Sequence, residues 1–258
     1  MNYALITGAS KGIGKHIAIE LARRKINVLL VARSANELQE ISRQIKDEFG
    51  VQADFFVCDL SAEDVALKIF NWCKEKAYSI QILVNNAGYG YAGNFEKYTA
   101  SAYAEMMQVN MNAVVNLCHA FLPLLRLQQQ SYILNIASAA AYQATPGLAV
   151  YGASKAFILS FSRALHTEFL HTNVSVSCVC PGGTDTDFAT RAQVGKKGLK
   201  LAEKVNMTPQ DVARISVNKM FRKRPEIITG NITKLGVFLA WLLPKKWVEK
   251  SAAAIYGV

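Results

Sequence analysis

Tyr3-Ala4-Leu5-Ile6-Thr7-Gly8-Ala9-Ser10-Lys11-Gly12-Ile13-Gly14 reads as a short apolar strand, a glycine-rich turn and the first turn of a helix. Beyond it, Ile13, Ile17, Ala18 and Leu21 recur at helical spacing over residues 12–25. A strand that feeds a helix through glycines is where a dinucleotide-binding sheet presents its phosphate site. Glycines let the backbone turn tightly and let a pyrophosphate approach. The helix N-terminus adds unpaired N–H groups and the positive end of a dipole. Gly8, Ser10, Lys11, Gly12, Ile13 and Gly14 are therefore candidate contacts to such a group.

Working outward, strands and helices alternate. Residues 27–32 hold the unbroken run Val28-Leu29-Leu30-Val31, as expected of a strand buried on both faces. A helix follows over 35–49, with Leu38, Ile41 and Ile45 on one stripe and Gly50 as its stop. Next come a strand at 53–58 and a helix capped by Ser61 that runs to about residue 77. The pattern continues with strand 80–84, a long helix near 101–127, strand 132–137, helix 152–171 and strand 174–179. Residues 182–205 are rich in Gly, Thr and Lys and read as a mobile loop or a short helical lid. Thr208-Pro209 then open a helix to 221 that returns to a short strand at 226–229. This succession predicts an α/β fold: a single doubly wound Rossmann-type domain over 1–258. Its parallel sheet would have about seven strands, with helices on both faces. A substrate loop is expected at about 183–206 and an apolar tail at 234–258.

Composition narrows the function classes. The chain has 258 residues, enough to bury a core without staples. Its five cysteines form no CxxC pair and read as reduced core thiols, and its histidines lack any ligand spacing, so no metal site is expected. The first residues lack the charged start and cleavage site of a signal peptide, and a cytoplasmic protein is expected. The net charge of +10 would suit an anionic partner. Its basic residues are spread along the chain and accompany no nucleic-acid-binding motif, so no nucleic-acid partner is expected.

The chemistry-bearing residues come later. Tyr151-Gly152-Ala153-Ser154-Lys155 places a tyrosine and a lysine four apart, on one face of a helix. A phenol of pKa about 10 is a poor acid–base catalyst near neutrality; an adjacent ammonium favours the phenolate and brings that pKa down. Ser138 lies thirteen residues before the tyrosine, Asn85-Asn86-Ala87-Gly88 follows the fourth strand, Asn110 lies in the next helix, and Pro181-Gly182 follows the sixth strand with Thr186 soon after. With the GxxxGxG spacing of the first loop, this ordered set resembles the short-chain dehydrogenase/reductase family. The resemblance runs from Tyr3 to about Thr229 and leans towards the hydroxysteroid dehydrogenase and 3-oxoacyl reductase members.

That resemblance implies roles. Tyr151 gives or takes the proton at the substrate oxygen while a nicotinamide gives or takes hydride. Lys155 tunes Tyr151 and holds the nicotinamide ribose, Ser138 bonds the carbonyl oxygen, and Asn110 holds a water leading from Lys155 to solvent. Pro181, Gly182, Thr184 and Thr186 border the nicotinamide, and Asp59 and Leu60 lie near the adenine. Asn85, Asn86, Ala87 and Gly88 form the cofactor floor, with holding the sheet together an equal role for Asn86. Cofactor choice is readable locally. Strand two ends Val31-Ala32-Arg33-Ser34 without the acid that accepts from an NAD ribose, and Arg33 with Lys11 suits a 2′-phosphate, so NADP(H) is expected. The expected partner is a small, apolar carbonyl or alcohol substrate, in a homodimer or homotetramer. A nucleotide-binding regulatory protein without turnover is the alternative. Helices 101–127 and 152–171 would pair with their copies through Leu117, Phe121, Phe157 and Phe161, residues that could instead face the sheet. The tail's run Leu235–Leu243 is nine residues, where a bilayer span needs about 20. It could lie on a neighbouring subunit, over the substrate pocket or on lipid. It is expected to pack on protein, with membrane contact weak at most.

Overall fold

A computed structural model of the chain describes residues 2–184, 192 and 207–256. Seven parallel strands form one sheet in the order β3-β2-β1-β4-β5-β6-β7. They are β1 (Asn2–Thr7), β2 (Asn27–Ala32), β3 (Ala53–Val57), β4 (Ser79–Asn85), β5 (Ser131–Ile136), β6 (Val174–Cys180) and β7 (Glu226–Ile228). The helices are α1 (Gly12–Arg23), α2 (Ala35–Phe49), α3 (Val65–Glu75), α4 (Ala100–Met107), α5 (Ala113–Arg126), α6 (Ala149–Glu168), α7 (Pro209–Phe221), α8 (Asn231–Leu242) and α9 (Lys245–Tyr256).

The unbroken apolar runs form strands because both sheet faces are covered. On one face Ile17 and Leu21 of α1, Leu38 and Ile45 of α2 and Val217 of α7 pack together. On the other, Ile69 of α3, Leu117 and Phe121 of α5 and Ile158 of α6 do so. Each such side chain contributes about 1.5–3 kcal/mol by leaving water. The strand order reverses between β1 and β4, so the ends of those two strands open the crevice in which a doubly wound sheet binds its ligand.

The structure corrects two local expectations, a helix and a cap, and adds detail to two readings left open. The helix expected near 101–127 is interrupted by a π-helical turn at Gln108–Asn112, which rotates Asn110 inward. Ser61 does not cap α3: its backbone and hydroxyl both bond Asp59, and left-handed Asp64 precedes the helix instead. Leu117 and Phe121 are fully buried against the sheet, leaving Phe157, stacked on Phe161, as the exposed aromatic among those named for a subunit contact. The tail forms two helices, α8 and α9, separated by Leu243 and Pro244. Within the single chain most of its large apolar side chains are exposed. No helix of the described residues is long and apolar enough to cross a membrane.

Candidate active site

The glycine loop is built around close approach. Gly8 and Gly12 take left-handed φ of 64° and 55°. A Cβ on Gly8 would lie 2.8 Å from the Ala87 Cα, and one on Gly14 would strike the Gly8 carbonyl and the Asn86 amide. The Asn86 side chain donates to the carbonyls of Thr7 (3.0 Å) and Gly8 (3.1 Å), so it ties the end of β4 to the loop. The Thr7 hydroxyl accepts from the backbone N–H groups of Asn86 and Ala87. Asn85 is not on the floor of the crevice; it is buried and donates across the sheet to Asn135 (2.9 Å). Lys11 stands at the N-cap of α1 without a side-chain cap bond, and no acid occupies the first turn. The first N–H groups of the helix thus carry no capping side chain, an arrangement that suits an anion. Ser10 and Ile13 sit half-buried in the same loop and first turn.

At the end of β2, Arg33 is exposed and pairs with Asp59 at 3.3 Å, while Lys11 pairs with Glu37 of α2 at 3.8 Å. Burial raises the Asp59 pKa, but hydrogen bonds from the Ser61 backbone and hydroxyl and from Arg33 outweigh it and hold the carboxyl below its ordinary value. Leu60, the next residue, is buried. Both expected cations therefore lie at the rim of the crevice, Arg33 beside Asp59 and Lys11 beside Glu37.

The second half of the site lies at the ends of β4, β5 and β6. Helix α6 begins at Ala149, three residues earlier than expected, so Tyr151 falls in its first turn and Lys155 one turn on. Both are buried, and the Lys155 Nζ sits 5.8 Å from the Tyr151 ring centroid. The ammonium donates to the Ile136 carbonyl at 2.9 Å. Burial pulls the Lys155 pKa down from 10.5 to about 8, against the opposing pull of Cys178 and Cys180. In the π turn, the Asn110 amide oxygen accepts from the Tyr89 N–H (3.1 Å), and its nitrogen donates to the Tyr89 carbonyl (2.9 Å) and the Ser154 hydroxyl (3.1 Å). Gly88 lies where a Cβ would come within 3.0 Å of the Asn110 amide oxygen and 3.2 Å of the Lys155 nitrogen. Asn110, Lys155 and Gly88 thus converge on one point, one turn from Tyr151.

Ser138 caps the 3-10 turn Ala139–Tyr142, its hydroxyl accepting from Ala140 N–H at 3.2 Å. The next residue donates to the Pro181 carbonyl at 2.8 Å, which joins the serine loop to the segment after β6. Thr184 donates to the Gly182 carbonyl. Thr186 lies outside the described residues. Among the residues missed from sequence are Ile136, whose carbonyl anchors Lys155, and Thr233, whose side chain lies where a Cβ on Gly182 would go. Also missed is an aromatic cluster of Tyr89, Tyr91, Tyr98 and Tyr103 that packs with Tyr151. The Tyr-rich stretch after Gly88 was its signal. A cavity of about 290 Å³ opens beside it, lined by Tyr91, Phe95, Tyr103 and Val150 among others.

A family model described as short chain dehydrogenase matches residues 2–197. The chain belongs to the short chain dehydrogenase family. Among relatives in that family, hydroxysteroid dehydrogenase-like protein 1 of Gallus gallus is 36% identical over 199 residues, which are 76% of this chain and 59% of that protein. The very-long-chain 3-oxoacyl-CoA reductase of Anas platyrhynchos is 34% identical over 186 residues, 69% of this chain and 58% of that one. The chain thus spans under two thirds of the length of these two relatives. Among solved structures, a short-chain dehydrogenase from Sphingobium yanoikuyae in complex with NADPH superposes with a TM-score of 0.82 at 29% identity, covering 90% of this chain and 89% of that one.

Proposed function

We propose that the protein is an NADP(H)-dependent oxidoreductase that interconverts an apolar ketone and its alcohol. The observation that carries this reading is the convergence of Asn110, Lys155 and Gly88 one turn from Tyr151, beside the open N-terminus of α1. The crevice fits a dinucleotide: glycines stand where any Cβ would collide, and the uncapped helix end suits a pyrophosphate. Gly8, Ser10, Gly12, Ile13 and Gly14 would hold the pyrophosphate end, Asp59 and Leu60 the adenine, and Ala87 and Gly88 the floor. Pro181, Gly182 and Thr184 would border the nicotinamide. When bound, that group supplies or accepts the hydride.

The protein's own residues handle the proton. Tyr151 donates it to the oxygen of a ketone being reduced and takes it back in the reverse direction. The Lys155 ammonium favours the tyrosinate through its charge, and with its pKa near 8 it remains mostly charged at neutral pH. Ser138 orients the substrate oxygen. Asn110, fixed by both backbone groups of Tyr89, positions the far side of Lys155. Arg33 and Lys11 at the rim favour a 2′-phosphate, and the NADPH bound to the Sphingobium relative supports that choice. The aromatic cavity beside Val150, with the names of the two avian relatives, supports an apolar substrate.

The test is loss of nicotinamide absorbance on incubating the protein and NADPH with ketosteroids, 3-oxoacyl thioesters, quinones and sugars. Turnover with an apolar ketone, and preference for NADPH over NADH, is the expected result. NADPH binding without turnover on any of them would favour a regulatory protein.

A further inference from the structure

Helix α8 is turned inside out for a surface helix. Its inward side carries small residues: Ala240 is buried, and Thr233 and Val237 are half-buried. Ile232, Leu235, Phe238, Leu239, Trp241 and Leu242 occupy the outward half, with Trp241 75% exposed. An ordinary surface helix has the opposite arrangement, and an apolar patch of this kind marks a contact surface. Pro244 then turns the chain into α9, where Trp247 is 66% exposed. Lysines border the patch: Lys234, Lys245, Lys246 and Lys250 stand against Glu249, the one carboxylate in the sequence from 231 to 256. The position matters as much as the composition. Thr233 of α8 abuts Gly182, so the helix that carries this apolar face begins beside the segment that follows β6.

We propose that α8 and the first turn of α9 are a docking surface for an anionic lipid bilayer, seated in the headgroup region and not spanning it. Apolar and tryptophan side chains entering the acyl boundary between flanking lysines is the chemistry of an interfacial helix. A second copy of this chain fits less well, because a self-complementary contact would bring the same lysines together. The tail therefore does more than the weak membrane contact expected from its short apolar run. Docking does not depend on the carbonyl chemistry proposed above, and its test uses no substrate.

The experiment takes the full chain with vesicles of phosphatidylserine and phosphatidylcholine, and with phosphatidylcholine alone. Co-sedimentation and tryptophan emission are followed. Trp72, the third tryptophan, packs against Phe56 and Tyr78, so an emission change reports Trp241 and Trp247. Retention on the anionic vesicles, falling as salt rises, with a blue shift, is expected. The triple variant F238S/W241S/L242S should lose retention while keeping its melting temperature, since those side chains are exposed. Replacing the four lysines by glutamine should weaken retention by about five hundredfold or more, at roughly fivefold for each charge near the surface. No retention at low salt, or retention indifferent to both variants, overturns the proposal. So does a triple variant of halved solution mass whose parent ignores the vesicles, because the face is then a contact between copies.

Discussion

Lys155 is held at a price that can be measured. Its pKa falls from 10.5 in the unfolded chain to about 8 in the fold. At pH 7 the ammonium is present in both states, and its burial destabilises the fold by about 3 kcal/mol at 1.36 kcal/mol for each pKa unit. The penalty is full below pH 8. It fades as pH rises towards 10.5, because over that window the unfolded chain binds the proton that the folded chain has released. Lys155→Met removes the charge and keeps most of the stem. It also leaves the Ile136 carbonyl without its donor, which costs about 1–3 kcal/mol. The variant should therefore be as stable as the parent at pH 7, or more so by about 1–2 kcal/mol, and be inactive. Between pH 7 and pH 10 the difference should move by about 2–3 kcal/mol in favour of the parent. Urea unfolding of both proteins without cofactor at the two pH values measures this. A stability difference that does not change with pH would refute the claim that burial of a charged Lys155 opposes the fold.

Three further outcomes are expected. Tyr151→Phe should keep the fold and NADPH affinity but remove turnover, since only the phenolic oxygen is lost; stopped-time assays showing activity within about tenfold of the parent would dismiss its role as proton donor. Arg33→Asp should weaken NADPH binding by about ten- to a hundredfold, the worth of one charge-assisted contact, and narrow the preference over NADH. Fluorescence titration with both nucleotides checks it, and an unchanged preference would transfer the 2′-phosphate to Lys11. Light scattering at micromolar concentration should give the mass of a dimer or tetramer with α6 in the contact; the 28.4 kDa of one chain would count against it.

Periodicity and glycine spacing carried the fold, because strands buried on both faces and helices with one apolar stripe are local consequences of composition. Val28–Val31 or the Leu38, Ile41, Ile45 stripe needs no tertiary knowledge to be read. The candidate residues were legible for the same reason: Gly8, Gly12, Tyr151, Lys155 and Ser138 sit at strand ends and helix starts that the pattern already located. What the sequence left open depended on packing between distant segments. Leu117 could face a subunit or the sheet, and only the burial of α5 against β4 and α3 placed it inside. Asn85 and Asn86 are neighbours in sequence but point to different tasks, one across the sheet to Asn135 and the other to the glycine loop. The inward turn of Asn110 arises from a π turn that no periodicity announces, stabilised by its bonds to Tyr89 and Ser154. The tail gave an apolar run in either representation. Its outward orientation was decided by the fold, because small residues on one side of α8 let that side approach the body and left the large ones in solvent.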